Sequence, residues 1–364
     1  MIHLFIASLS PLSGKNLICA GMGLKLKKDG YNIGYFKPVG FSPVFVNDVL
    51  TDEDAVFLSG ALEVNEPLQS ISPVIFTEDM LQRLVKGENL SIREKTMEAF
   101  HIASSGKDIM IIRGIGRLNC GTCLGFSELD FITEVNAKVI FVDKFESYIE
   151  MLDGFLYASN VLKEKLLGVV FNMVPSAKLE YMKNTIQPFL TKHGVDTLGI
   201  IRRDPLLRAT SIRDIVTALN GKILCCEEKA GELIEHFVIG AMNLESAIQH
   251  FKKISDKAVI TGGDRSDIHA AALETSTKCL ILTGDLYPSY SILGRAQEAN
   301  VPVIVVSADT ATTIETCEKL ADTTQLNNMS KIQHASGIIE KEVDFETIYR
   351  KLGLTKQLFR HTCK

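Results

Sequence analysis

The chain has 364 residues, 46% of them apolar and 23% charged, which is enough for two ordinary domains with their own cores. Its 39 basic residues against 44 acidic ones leave a net charge of −5, so there is no basic excess to bind a nucleic-acid backbone. The start, MIHLFIASLSPLSGK, reads as a strand rather than a leader, and no apolar stretch approaches the ~20 residues of a membrane span, so no membrane partner is expected and the cytoplasm is the expected compartment.

Residues 3–8 form a short apolar run that opens onto a turn. Residues 14–28 follow as a helix, with Leu17, Ala20, Leu24 and Leu26 among its apolar positions and Gly30 placed to cap its end. Residues 32–36 are the next strand, ending at Lys37-Pro38. Runs rich in Ile and Val at 108–112, 138–142, 167–171 and 198–201 read as further strands, with amphipathic stretches at 91–103, 147–162 and 177–193 between most of them. This alternation predicts an α/β fold with a doubly wound, mainly parallel sheet. Beyond residue 215 a second, smaller α/β unit is expected, with strands at 258–261, 279–282 and 302–306 and helices at 265–273, 290–299 and 310–320. Residues 344–352 read as a terminal helix before a polar basic tail. The expected domains are 1–213, 214–335, and a C-terminal helix and tail at 336–364.

Eight cysteines are scattered through the chain. Cys120-x-x-Cys123 and the vicinal Cys225-Cys226 have suggestive spacings, but a structural zinc site needs four ligands and no histidine lies near either pair. They read as loop and core cysteines.

A strand turning through Ser8-Leu9-Ser10-Pro11-Leu12-Ser13-Gly14-Lys15 into a helix has the geometry of a phosphate-binding loop. Backbone N–H groups at the helix start face an anion, and Lys15 adds a point charge. Ser10, Ser13, Gly14, Lys15 and Asn16 are the candidate nucleotide contacts. Two positions depart from G-x-x-x-x-G-K-[ST]: Leu9 stands at the first glycine, and Asn16 replaces the hydroxyl that ligates Mg²⁺. A solvated lysine at a helix start explains Gly14-Lys15 equally well in isolation. The place after the first strand of an α/β series favours the loop.

Residues 25–40, KLKKDGYNIGYFKPVG, resemble the opening of dethiobiotin synthetase and its relatives. Asp52-Glu53-Asp54-Ala55 resembles that family's acidic motif. Residues 108–116 sit where those enzymes have an apolar strand ending in Glu-Gly-x-Gly, and 168–175, with Asn172, resemble their base-recognition strand. The similarity covers about residues 1–205 and implies a sheet of P-loop NTPase type. In the resembling enzymes an ATP-dependent step activates a carboxylate or carbamate as a mixed phosphoric anhydride. Their Mg²⁺ is held by the loop hydroxyl, the early aspartate and the strand-end glutamate. Here only Asp54 remains as a metal-ligand candidate, which puts Mg²⁺ binding in doubt. Arg113 stands at the glutamate position, a change of two charge units, and an arginine cannot ligate Mg²⁺. It can instead pair with phosphate oxygens.

Other readings stand beside these. Arg113 is otherwise a surface residue at a strand end, although Gly114-x-Gly116 fixes the register. Lys37 is a substrate or γ-phosphate contact by the resemblance, or a solvated lysine before a rigid proline. Asp52, Glu53 and Asp54 serve equally well as the acid-rich first turn of a helix.

In the second unit, Val259-Ile260-Thr261-Gly262-Gly263-Asp264-Arg265-Ser266-Asp267-Ile268, then Leu273-Glu274-Thr275-Ser276 and Leu282-Thr283-Gly284, resemble the DRTGG domain. This pairing resembles the N-terminal regulatory region of long phosphotransacetylases, and stand-alone proteins of this length. The chain stops where the acetyltransferase domain would begin, so the resemblance implies the stand-alone type and carries over no acetyl-phosphate chemistry. DRTGG domains accompany nucleotide-sensing modules, which makes an adenine-containing ligand the expectation. Gly262 and Gly263 let the backbone approach a ligand, Asp264 is expected to cap the next helix, and Arg265 to take a phosphate or carboxylate. Gly284 should lie beside this turn at the carboxyl edge of the sheet. The competing reading is a plain strand–turn–helix junction with an Arg265–Asp267 or Arg265–Glu274 surface pair.

The resulting expectation is a nucleotide-responsive regulatory or binding protein, with a degenerate ATP site and a DRTGG sensor domain. Its ligand would be ATP or another adenine nucleotide, and it would be inactive as an ATP-dependent ligase. By analogy with the synthetases it would be a homodimer, with any protein partner unidentified. The runner-up is an ATP- and Mg-dependent ligase of dethiobiotin synthetase or cobyrinate diamide synthase type, in which Lys15 and Lys37 would be catalytic. A third reading is an interaction scaffold whose sites have decayed. Three altered motif positions oppose the ligase, and the retained Gly14, Lys15, Lys37, Asp54 and Asn172 oppose full decay.

Overall fold

The computed structural model describes residues 1–322 and 329–355. The chain forms two compact units, one of Met1–Arg203 with Leu326–Lys364 and the other of Asp204–Gln325.

The central sheet of the first unit has six strands: β1 (Ile2–Ala7), β2 (Ile33–Phe36), β3 (Ile109–Arg113), β4 (Lys138–Lys144), β5 (Leu166–Val174) and β6 (Thr197–Arg202). They lie in the order β6-β5-β4-β1-β3-β2, with every pairing parallel. Residues 4–7 of β1 are wholly buried, as the unbroken apolar run of a strand covered on both faces requires. The helices include α1 (Lys15–Lys28), α2 (Glu53–Ala61), α3 (Ile92–Ser104), α4 (Glu128–Glu134) and α5 (Tyr148–Leu162). One face of the sheet packs on a phenylalanine-rich core in which Phe36 stacks on Phe131, ring centroids 5.8 Å apart. Strand order reverses around β1. The crevice at its carboxyl end is where open α/β sheets place ligands.

Two features of this unit differ from the sequence reading. The expected helix at 177–193 is broken into short turns, with a π-type turn at Met182–Ile186 before Gln187–Lys192. The C-terminal helices Met329–Glu342 and Phe345–Leu352 belong to this unit rather than to a separate segment from 336. The cause is close packing on α1: a Cβ added at Gly21 would lie 2.4 Å from the Ile339 side chain. The tail beyond 355, with Cys363, lies outside the described residues.

The second unit begins at Asp204, ahead of the expected 214. Thr210–Ser211 pairs with Leu233–Ile234, and Ile212 and Ile215 enter a core with Ala258, Ile260 and Ile281. Its sheet contains β7 (Lys222–Cys225), β8 (His236–Ile239), β9 (Lys257–Gly262), β10 (Thr277–Thr283) and β11 (Val303–Val305). The order is β7-β11-β10-β9-β8, parallel except for β7 against β11. The edge strands β7 and β8 were not legible in the sequence, because both are short and half-exposed. Helices α6 (Ile212–Ala218), α7 (Leu244–Phe251), α8 (Ser266–Leu273), α9 (Tyr290–Glu298) and α10 (Thr310–Asp322) complete it. No helix among the described residues is long and apolar enough to cross a membrane.

Candidate functional site

The turn from β1 into α1 is built as the sequence suggests. Gly14 stands at the N-cap of α1 with φ of 99°, a left-handed conformation that favours glycine. A Cβ there would also lie 2.0 Å from Asn172 Nδ2. Asn172, on β5, donates from Nδ2 to Ser13 O at 2.9 Å and accepts at Oδ1 from the Met173 N–H. It therefore braces the loop.

Lys15 opens α1 and is only 4% exposed. Its Nζ donates to Ser8 Oγ at 2.6 Å and to Gly116 O at 3.0 Å. Burial, then the nearby Arg113, push the ammonium down to about 8, against the opposing pull of Glu128 and Asp143.

Both acids escaped the sequence reading. Glu128, at the start of α4, is wholly buried and accepts the Gly116 N–H at 2.6 Å. Burial raises its carboxyl to about 7. The local signal, Ser127 capping α4 in a capping box with Asp130, announces only a helix start. Asp143, near the end of β4, accepts from the Leu9 and Lys144 N–H groups and from the Ser10 hydroxyl. Burial raises it to about 6.

Beside the loop lies an interlocked ion cluster. Arg113, last residue of β3, donates from Nε to Asn16 Oδ1 at 3.0 Å and from Nη1 to Gly114 O and Ile115 O. Its Nη2 lies 3.3 Å from Asp54 Oδ2. Asn16 Nδ2 donates to Asp54 Oδ1 at 2.8 Å. Lys37, 1% exposed, bridges Asp52 Oδ1 at 2.5 Å and Asp54 Oδ2 at 2.8 Å. Burial tends to raise Asp54, but Lys37 and Arg113 outweigh it and hold its carboxyl below the ordinary range. Asp52 is wholly buried and caps α2, accepting the Ala55 N–H as well as those of Phe41 and Ser42. The helix-start reading of the acidic run thus holds for Asp52, while Asp54 joins the ions.

One strand-edge crevice therefore gathers Ser10, Ser13, Gly14, Lys15, Asn16, Lys37, Asp54, Arg113 and Asn172. Magnesium takes oxygen ligands, and here the amide oxygen of Asn16 and both carboxylate oxygens of Asp54 are engaged by donors, two of them cationic. In this arrangement those oxygens are committed to protein donors. Among the described residues no group of three or more His, Cys, Asp or Glu is arranged to hold a metal. Cys120 Sγ accepts the Arg117 N–H, and Cys225 is buried.

In the second unit, β9 runs parallel to β10 with Gly262 opposite Thr283, so Gly284 does lie beside the glycine turn. A Cβ on Gly263 would stand 1.9 Å from Leu286 O. Asp264 does not cap α8. The Arg265 N–H closes a turn onto Gly262 O, which leaves Asp264 one residue short of the N-cap and puts Arg265 there without a side-chain cap. Arg265 is paired with Asp267 at 3.0 Å and donates to Met242 O, while Glu274 pairs with Arg295 instead. His269, buried and not anticipated, makes a hydrogen bond to Gly262 O at 2.9 Å.

The parallel sheet with its glycine–lysine turn defines a P-loop domain followed by a second α/β unit. The family models agree: an AAA domain model matches residues 3–211 and a DRTGG domain model matches 214–320. The first match spans more than half of the chain, which belongs to that AAA-domain family and carries a DRTGG domain behind it. A phosphate acetyltransferase of Synechocystis sp. is 21% identical over 98% of this chain and 53% of its own length. An ATP-dependent dethiobiotin synthetase of Caldicellulosiruptor saccharolyticus is 33% identical over 29% of this chain and 44% of its own. The chain spans about half the length of the curated relatives it matches. Among solved structures, the CBS and DRTGG regulatory region of Clostridium perfringens pyrophosphatase, complexed with diadenosine tetraphosphate, aligns at 19% identity over 47% of this chain and 84% of its own, with a TM-score of 0.28. Both resemblances read from the sequence, to dethiobiotin synthetase and to the regulatory region of phosphotransacetylases, are borne out.

Proposed function

We propose that this chain is a nucleotide-responsive regulatory protein whose first domain binds an adenine nucleotide at the Ser8–Lys15 turn without turning it over, and whose DRTGG domain is a sensor. The observation that carries the reading is the placement of Arg113. Its guanidinium is held by Asn16 and Asp54, the positions from which the resembling synthetases hold Mg²⁺. A tethered +1 charge there repels a divalent ion. Phosphate binding then falls to Lys15 and the N–H groups at the start of α1. With Asn16 and Asp54 so engaged, the positions that hold the metal in the resembling synthetases would not polarise a transferring phosphoryl group here.

Isothermal titration with ATP, with Mg²⁺ and with a chelator, together with an assay of phosphate release, tests this. Binding that survives the chelator with no phosphate release is the expected result. Binding and turnover that both require Mg²⁺ would return the ligase to first place, and no binding at all would leave the scaffold. The reading includes a homodimer by analogy of fold, and light scattering that finds a concentration-independent monomer would remove that part.

A further inference from the structure

We infer that the loop is a single-phosphate site, selecting a nucleoside monophosphate over the di- and triphosphate; this rests on the nucleotide reading above. The argument turns on which cations remain available. Lys37, placed by the resemblance at the γ-phosphate, is closed between Asp52 and Asp54. Arg113 has donors from all three of its nitrogens directed at protein oxygens: Asn16, Gly114, Ile115 and Asp54. Lys15 differs. Its partners Ser8 Oγ, Ser13 Oγ and Gly116 O are neutral oxygens, which an incoming phosphate can replace without stranding a charge.

A terminal phosphate carries about two negative charges at neutral pH. One such group matches Lys15 and the positive end of α1, a helix of 14 residues. Each further phosphate adds negative charge in a crevice already bounded by the carboxylates of Asp54 and Asp143. To receive it, Lys37 would have to leave Asp52, which is wholly buried and would be left without its cation. The selection therefore comes from Asp52, a residue that need not touch the ligand. It acts as a positioning residue by keeping Lys37 closed.

The test is titration of the full chain, in chelator, with AMP, ADP and ATP, on the wild type and on Asp52→Asn. Asparagine keeps an oxygen for the Ala55 N–H that caps α2, gives up the acceptor of the Phe41 and Ser42 N–H groups, and removes the charge that holds Lys37, so the thermal midpoint is measured to verify folding. For the wild type, AMP should bind at least about tenfold more tightly than ATP, with ADP between them. For Asp52→Asn, the ratio should move toward ATP by roughly three- to tenfold, a change in selectivity that a purely structural role would not produce. ATP binding to the wild type as tightly as AMP, or an unchanged ratio in a folded Asp52→Asn, would overturn the single-phosphate site and leave the nucleotide reading standing. Binding of none of the three would overturn the nucleotide reading, and this inference with it.

Discussion

Both units end a parallel strand in a glycine-containing turn followed by a cation, yet the two turns are built on opposite terms. In the first, Lys15 and Lys37 are buried and Arg113 half-buried, with Lys37 and Arg113 closed on carboxylates and Lys15 on neutral oxygens, so charge decides what the crevice accepts. In the second, the glycine does the structural work against Leu286 O, and the cation Arg265 stays at the surface beside Asp267. A motif of glycine plus cation thus says little about its own role. Burial of the cation decides it, because an ion pair in water is worth far less than one withdrawn from it.

The largest effect should come from filling the glycine turns. Gly263→Ala drives a Cβ into a backbone oxygen 1.9 Å away, which cannot yield as a side chain can. Overpacking of this kind costs about 1–3 kcal/mol or more, read as a clear fall in the denaturation midpoint. Gly14→Ala meets the end of the Asn172 side chain, which can swing, and adds a left-handed penalty of roughly 1–2 kcal/mol. It should lose less stability than Gly263→Ala and more nucleotide binding. A reversed order of stability loss would break the comparison.

Next in size is the electrostatic inversion of the first turn. Arg113→Glu with Asn16→Thr places a carboxylate and a hydroxyl beside Asp54, the missing parts of a magnesium site. Binding of ATP, measured with Mg²⁺ and with chelator, should then become metal-dependent by on the order of tenfold. Hydrolysis need not return, since Leu9 still replaces the first loop glycine. Metal-independent binding by the double variant would show that Arg113 is not what excludes the ion.

A separate effect, read as a slope with pH rather than as a midpoint, follows from the buried acids. Glu128 holds its proton to about 7 and Asp143 to about 6, whereas the unfolded chain releases both near ordinary values of 4.5 and 3.8. Between roughly pH 4 and 7 the folded state therefore binds more protons at these two groups, and their contribution to the free energy of unfolding falls as pH rises. The half-buried His3 and the buried His269, both lowered by burial, contribute with the opposite sign. The contribution is complete below the unfolded values and is lost as pH passes through the folded ones. Lys15, depressed to about 8, acts in a separate window above that value. Urea unfolding of Glu128→Gln across pH 4–7 should show stability that falls less, or rises more, with pH than in the wild type, and an unchanged slope would remove Glu128 as a source.

What was legible in the sequence follows the same division. Arg113 could be placed because an apolar strand and Gly114-x-Gly116 fix its register locally. The Gly14-Lys15 turn was readable for the same reason. Glu128 and Asp143 were not, since nothing adjacent tells a buried acid from a helix-start or strand-end one; distant packing buries them. Asp264 was misplaced by a single residue because the turn closes from Arg265 to Gly262. The docking of Met329–Glu342 onto α1 through Gly21 is a long-range contact, and no local pattern announces it.

The smallest structural effect and the sharpest functional question meet at Arg265. Its side chain is half-buried, its pairing with Asp267 is local, two residues along the chain, and its longer-range contact is a single hydrogen bond to Met242 O, so the fold leans on it lightly. Arg265→Ala should therefore leave the thermal midpoint essentially unchanged, as surface substitutions do. If the glycine turn of the DRTGG domain takes an anionic ligand, the same substitution should weaken nucleotide binding, since the guanidinium beside the two glycines, once it leaves Asp267, is a bidentate donor. Asp267→Asn should act in the opposite direction by releasing the guanidinium toward the ligand. Titration of both variants with AMP and ATP separates the outcomes. Opposite shifts place a ligand at the second turn. A midpoint that drops in Arg265→Ala while binding stays constant would make Arg265 a brace for the start of α8, and leave the first unit's loop as the nucleotide site of the chain.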